Sequence, residues 1–231
     1  MRTQISSSSR HIFITGGSGY IGKHLIRALL ARGHRVRALV RAGSEKKLPP
    51  GCEVVIGNAL DAATFRDQVA PCDTFVQMVG VPHPSPRKAR QFQEIDLVAA
   101  YAGMAAAHYG RVEHFVYLSV AQPAPVMRAY VGSRVQAETR ASSYVAAGAY
   151  RATFIRPWYV LGPGHRWPYL LMPLYALARM LPCTRENATR LGLVTLPEMV
   201  SAMTHVIENQ GVPLRIIDVP GIRKWSSPLF R

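Results

Sequence analysis

Short apolar runs alternate with longer stretches in which apolar residues recur at helical spacing. His11-Ile12-Phe13-Ile14-Thr15 is a β-prone run, and Ile21, Leu25, Ile26, Leu29 and Leu30 mark one face of the segment after it. This pattern predicts a strand over 11–15 and a helix over about 20–32, ended near Gly33. Further strands are expected at Arg35–Val40, Glu53–Ile56, Thr74–Val79, Glu113–Leu118 and Arg151–Ile155, with a last one at Leu214–Val219. Asp61 is placed to cap a short helix through Val69, and longer helices are expected over about 89–109 and 129–147. Crossovers of helical length between strands imply an α/β fold, a doubly wound parallel sheet with helices on both faces.

Beyond residue 157 the pattern loosens. G-P-G-H-R-W-P is loop chemistry, and Tyr169–Leu181 reads as an apolar helix. Thr195-Leu196-Pro197-Glu198 forms a capping box that launches a helix to about Glu208. No repeat or separating linker interrupts the chain, so 1–231 is expected to be a single Rossmann-type domain. Residues 1–10 form a flexible polar tail, 157–213 a small helical segment on the substrate side, and 214–219 the last strand.

The junction of first strand and first helix carries the chemistry. T-G-G-S-G-Y-I-G joins them, with Gly17, Gly19 and Gly22 in the G-x-G-x-x-G register. Residues without a Cβ let backbone N–H groups approach a pyrophosphate, and the helix N-terminus adds unpaired donors and partial positive charge. Gly16, Gly17, Ser18, Gly19, Tyr20, Ile21 and Gly22 are therefore candidate dinucleotide contacts. An ordinary glycine turn is the competing reading, and the flanking strand and amphipathic helix argue against it.

Composition adds a strong basic excess, +15 by formal count over 231 residues. It suits acidic partners such as phosphorylated cofactors. The Arg residues are scattered and no like-charge run reaches five, so a nucleic-acid arm is not expected. Cys52, Cys72 and Cys183 are few, odd in number and without metal-ligand spacing; they read as thiols of a reducing, cytoplasmic protein with no metal site. The N-terminal residues lack the apolar core of a secretory signal, and no uncharged apolar stretch reaches spanning length.

Six segments in order resemble the extended or atypical short-chain dehydrogenases/reductases, in the NAD(P)H-binding branch with NmrA-like and epimerase-like members. They are T-G-G-S-G-Y-I-G, G-N-A-L-D (57–61), M-V-G (78–80), F-V-Y-L-S (115–119), Tyr130-x-x-Ser133-Arg134-x-x-Ala137-Glu138, and I-R-P-W-Y-V-L-G-P-G (155–164). The resemblance implies that Asp61 contacts the adenine, with Asn58 where the family often has Asp; Asp61 can cap the following helix instead or as well. It also implies that Val79 and Gly80 line the cofactor's path and that Pro157 meets the nicotinamide end. Pairing of two copies through helices across the sheet face is an expectation by the same analogy.

The second strand ends Leu39-Val40-Arg41-Ala42-Gly43-Ser44, without the acid that holds a ribose 2′-hydroxyl and with Arg41 where a 2′-phosphate would lie. This favours NADP(H) over NAD(H). For catalysis the resemblance implies a Tyr acid/base, a Ser that polarises a carbonyl and a Lys one helical turn past the Tyr. Tyr130 and Ser119 match, but Arg134 replaces the lysine. Arginine supplies fixed charge at i+4 but no proton relay. His83 and His165 are loop alternatives for the acid. Trp158, Tyr159, Trp167, Tyr169, Leu170, Leu171, Met172, Leu174 and Tyr175 suggest a substrate that is apolar or aromatic in part, with core or interface packing as the competing use.

Three functions remain in competition from sequence. They are an NADP(H)-dependent oxidoreductase on a small carbonyl or alcohol, a non-catalytic NAD(P)-binding sensor or assembly factor, and a nucleotide-sugar epimerase or dehydratase.

Overall fold

The computed structural model describes residues 9–162 and 190–225. Its strands are β1 (His11–Thr15), β2 (Arg35–Val40), β3 (Glu53–Ile56), β4 (Thr74–Gln77), β5 (His114–Leu118), β6 (Arg151–Ile155), β7 (Tyr159–Leu161), β8 (Leu193–Thr195) and β9 (Leu214–Ile217). Seven of them form one sheet in the order β3-β2-β1-β4-β5-β6-β9, parallel throughout. The apolar runs of the central strands explain this arrangement: Ile12, Phe13 and Ile14, Phe75 and Val76, and Phe115 and Val116 are fully buried and serve both faces.

On one face lie α1 (Tyr20–Ala31) and a helix from the C-terminal part, Leu196–Glu208. Leu25, Ile26 and Leu29 pack with Met199, Met203, Val206 and Ile207 over Ile12, Ile14 and Val116. On the other face a row of rings crosses the sheet, Phe13 to Phe75 at 5.2 Å between centroids and Phe75 to Phe115 at 5.7 Å. The helices over that row form one run: α2 (Ala89–Gln91), a wider π-helical stretch Phe92–Leu97, and α3 (Val98–Tyr109), with α4 (Arg128–Ala146) alongside. Ala100, Met104, Ala107, Ala137 and Ala141 are their contacts with the row.

Several boundaries differ from expectation. Asp61 does cap, its side chain accepting Ala63 N–H, but the helix expected through Val69 is two short 3-10 turns, Ala62–Thr64 and Arg66–Gln68. Phe65, at φ −147°, breaks the run between them while its ring stays buried in the core. The fourth strand stops at Gln77 and not Val79; Met78 N–H still bonds Thr15 O, and the backbone then leaves the sheet, with Val81 N–H bonding the Asp96 carboxylate at 2.7 Å. The last strand stops at Ile217, where Asp218 caps a short helix, Val219–Arg223, through a 2.9 Å bond from Gly221 N–H. The small parallel pair β7–β8 was not legible in the sequence. The capping box holds: Thr195 and Glu198 bond each other's backbone at the head of Leu196–Glu208, hereafter α5. The apolar helix expected at Tyr169–Leu181 lies outside the described residues, as do Cys183, His165 and Trp167. Among the described residues no helix is long and apolar enough to cross a membrane.

Candidate dinucleotide cleft and its neighbours

The C-terminal ends of β1, β2 and β4 open into a cleft of about 420 Å³, lined by Gly16, Ser18, Gly19, Arg41, Asn58, Met78, Val79, Gly80 and their neighbours. Its floor is the glycine turn. Gly16 sits at φ +76°, and a Cβ on it would stand 2.7 Å from the Met78 carbonyl carbon. Gly19 caps α1 in extended conformation and donates to Gly16 O at 3.0 Å. A Cβ on Gly22 would collide with that same Gly16 carbonyl and with Gly17. The three positions that shape the turn are thus Gly16, Gly19 and Gly22, three residues apart. Gly17, expected in the trio, instead faces inward, its missing Cβ 2.9 Å from Ile26 Cδ1 and 3.2 Å from Ala38 Cβ, where it lets helix and sheet approach.

Turn and helix fit a pyrophosphate. The N-terminus of α1 has no side-chain cap and no acid in its first turn, so its N–H groups and partial positive charge point into the cleft. A Cβ on Gly19 would meet only Gly16 O, at 3.1 Å. The exposed Arg41 borders the cleft at the end of β2, and no acid lines it. Asn58 lines it too, its side chain accepting Leu60 N–H at 3.1 Å.

Four other expected contacts turn their side chains away from the lining of the cleft or into the packing beside it. Asp61 does not line the cleft, since its carboxylate is turned to Ala63 N–H at 3.0 Å. The half-buried Ile21 side chain packs against the core beneath α1, and the Tyr20 hydroxyl lies against Gly162, while their backbone N–H groups belong to the uncapped helix start. Pro157 is buried, with its carbonyl accepting Ala121 N–H at 2.9 Å, which ties the loop after β5 to the loop after β6.

Beyond Gly80 lie the candidate catalytic groups. Ser119, just after β5, is buried and its Oγ has no hydrogen-bond partner among the described residues. Tyr130 is half-buried near the start of α4, its ring 5.0 Å from that of Phe92. Arg134 follows one turn later, and its Cζ lies 5.2 Å from the Tyr130 ring centroid. The guanidinium therefore meets the ring face, while its nitrogens bond elsewhere. Nη2 donates to Asp96 at 2.8 Å; Nη1 donates to Leu118 O at 3.0 Å and to the Tyr117 hydroxyl at 3.2 Å.

Asp96 and Tyr117 were missed by the sequence reading. The signal for Asp96 was present: a lone acid in I-D-L-V-A-A, on an apolar helical stretch, needs a buried partner. Burial lifts the Asp96 carboxyl above the usual carboxylate range, opposed by the charge of Arg134. Burial likewise pushes the Tyr117 phenol up to about 12, with Arg134 pulling it down. The half-buried Cys52 and the buried Cys72 are free thiols, raised by burial to about 11 and about 12.

With this geometry in hand, a family model described as NAD(P)H-binding matches residues 16–166. A ketoreductase from Stigmatella aurantiaca acting on 4-hydroxy-2-methyl-3-oxo-4-farnesyl-3,4-dihydroquinoline-1-oxide is 32% identical over 109 residues, 46% of this chain and 32% of that protein. A ceramide reductase from Caulobacter vibrioides is 28% identical over 179 residues, 77% of this chain and 55% of that protein. The chain thus spans about a third to a half of the length of these curated relatives. Among solved structures, Thermus thermophilus UDP-glucose 4-epimerase in complex with NAD superposes with a TM-score of 0.66 at 16% identity, covering 93% of this chain and 81% of that one.

Proposed function

This chain belongs to the NAD(P)H-binding family and has the fold of extended short-chain dehydrogenases/reductases and epimerases, and from that premise we propose that it is an NADP(H)-dependent oxidoreductase reducing a carbonyl on a substrate apolar or aromatic in part. The observation that carries the cofactor reading is the cleft itself: an uncapped helix N-terminus behind Gly16 and Gly19, with Arg41 and no acid at the end of β2. The substrate class draws on the names of the two reductases, whose substrates carry a farnesyl group or are ceramides.

A bound dinucleotide would supply the hydride. Gly16, Ser18 and Gly19 would hold its pyrophosphate, Val79 and Gly80 would border its ribose path, and Arg41 would take the 2′-phosphate through its planar fork. The Tyr130 hydroxyl would give its proton to the carbonyl oxygen and recover one from solvent. Ser119 Oγ, without a partner among the described residues, would donate a hydrogen bond to the same oxygen and hold the carbonyl for attack.

Two experiments test this. NADPH should bind more tightly than NADH in fluorescence titration. Arg41→Ala should erase most of that preference, a loss of about 1.5–3 kcal/mol for a charge-assisted contact, while leaving NADH affinity nearly unchanged. Equal affinities in the native protein would refute the NADP(H) assignment.

A second reading, an NAD(P)-binding protein without turnover, is favoured by one observation: Asp96 occupies the guanidinium that stands in the lysine's place. Tyr130→Phe decides between them. In an oxidoreductase it removes carbonyl-dependent NADPH oxidation and leaves NADPH affinity intact. If the native protein oxidises NADPH with no ketone tried, including long-chain and polycyclic ones, the binding-protein reading stands.

A further inference from the structure

Asp96 is completely buried and spends each carboxylate oxygen on a different element. Oδ1 accepts the Val81 N–H at 2.7 Å, and Oδ2 accepts Arg134 Nη2 at 2.8 Å. Val81 lies on the Met78–Pro82 wall of the cleft. Through Arg134, the same carboxylate reaches the Leu118 carbonyl at the end of β5 and the α4 helix that carries Tyr130. Gly80 makes room for this link, since a Cβ there would stand 2.5 Å from Arg134 Nη2. Asp96 and Arg134 together thus join the end of β4, the end of β5 and α4.

A buried ion pair contributes little net stability compared with apolar packing of the same volume, because desolvation offsets the attraction. Its directional bonds can still select one geometry. We propose that Asp96 is a positioning residue for the dinucleotide, fixing the Val79–Val81 backbone against the cofactor and holding that backbone in register with Tyr130 through Arg134. The proposal rests on the NAD(P)-binding reading of the cleft.

NADPH affinity of folded variants tests it, because a residue that only stabilises the fold lowers the melting temperature without changing the affinity of the folded fraction. Asp96→Asn offers one oxygen where two were used, so it breaks one of the two bonds. It should loosen NADPH about tenfold in fluorescence titration. A folded Asp96→Asn protein with native affinity overturns the proposal. Should Asp96→Asn not fold, hydrogen exchange in the native protein supplies the measurement. The Val81 amide should be protected and more so with NADPH, and exchange at the rate of an exposed loop amide in both states overturns the proposal. A native protein that does not bind NADPH removes the cofactor reading instead, and so the two failures are distinguishable.

Discussion

At the scale of single residues, the buried polar groups separate those with a role in the cleft from those that only tune stability. Ser119 and Asp96 are beside the candidate chemistry, whereas His114 lies at the start of β5, at the opposite end of the sheet, with its Nε2 2.8 Å from Thr153 Oγ1. Burial, then the charges of Arg215, Arg10 and Arg151, pushes its pKa down to about 3 from an ordinary 6.5. The folded value is depressed, so the unfolded chain binds the proton first as the pH falls. The stabilising contribution is complete above pH 6.5 and is lost progressively down to about pH 3. Within that window the slope is up to about 1.4 kcal/mol per pH unit. His114→Gln, which keeps a hydrogen-bonding group for Thr153, should flatten the acid limb of stability between those limits in urea unfolding at a series of pH values. An unchanged slope would mean that the carboxylates alone set it. By residue type the sequence offered Tyr130, Ser119 and Arg41 as proton donor, carbonyl contact and phosphate contact; the structure sets Arg41 at the cleft and buries Ser119 just after β5. What Arg134 bonds was not, because its partners Asp96 and Leu118 are 38 and 16 positions away.

At the scale of elements, the strand–turn–helix unit β1–α1 carries the cleft, and its glycines divide by what surrounds them. Gly16 and Gly22 are hemmed in by backbone, so side chains there disrupt the turn itself. Gly19 has open space apart from one carbonyl, so the fold accepts a side chain that the pyrophosphate does not. Gly19→Val should therefore keep the native circular dichroism spectrum and lose NADPH binding. A folded variant with native affinity would reduce the glycines to a turn. This unit was legible because its signals are local: an apolar run, glycines, then a 3.6-residue period. The register of the glycine trio was not, since Gly17 and Gly16 differ only in what the sheet and α1 bring against each. The two 3-10 turns after Asp61 and the β7–β8 pair escaped for a related reason. Phe65 follows the pull of the core rather than helical continuity, and the three residues of each short strand gain order only from their partner.

At the scale of the whole molecule, the sheet is closed on its α1 face by a helix from far along the chain. α5 lies in the stretch expected on the substrate side, yet its apolar face packs beside α1: Met199, Ala202, Met203, Val206 and Ile207 are fully buried. It is part of the core layer that holds β1, β4 and β5 in place beneath the cleft. Met203→Ala should cost about 2–5 kcal/mol in global stability, read by chemical denaturation, and should leave NADPH affinity of the folded protein unchanged. A cost below about 1 kcal/mol would show α5 to be a loose appendage, since surface-like sites give values of that size. By itself the sequence determined the alternation of strands and helices, the phosphate-binding turn and the missing acid after β2, because each is written in neighbouring residues and enforced by backbone sterics and local periodicity. Only the tertiary structure decided where α5 docks, which glycines face the cleft, and that Arg134 is held by Asp96. Those depend on burial: removing groups from water forces each polar atom to find a partner wherever the folded chain provides one, at separations no local pattern records.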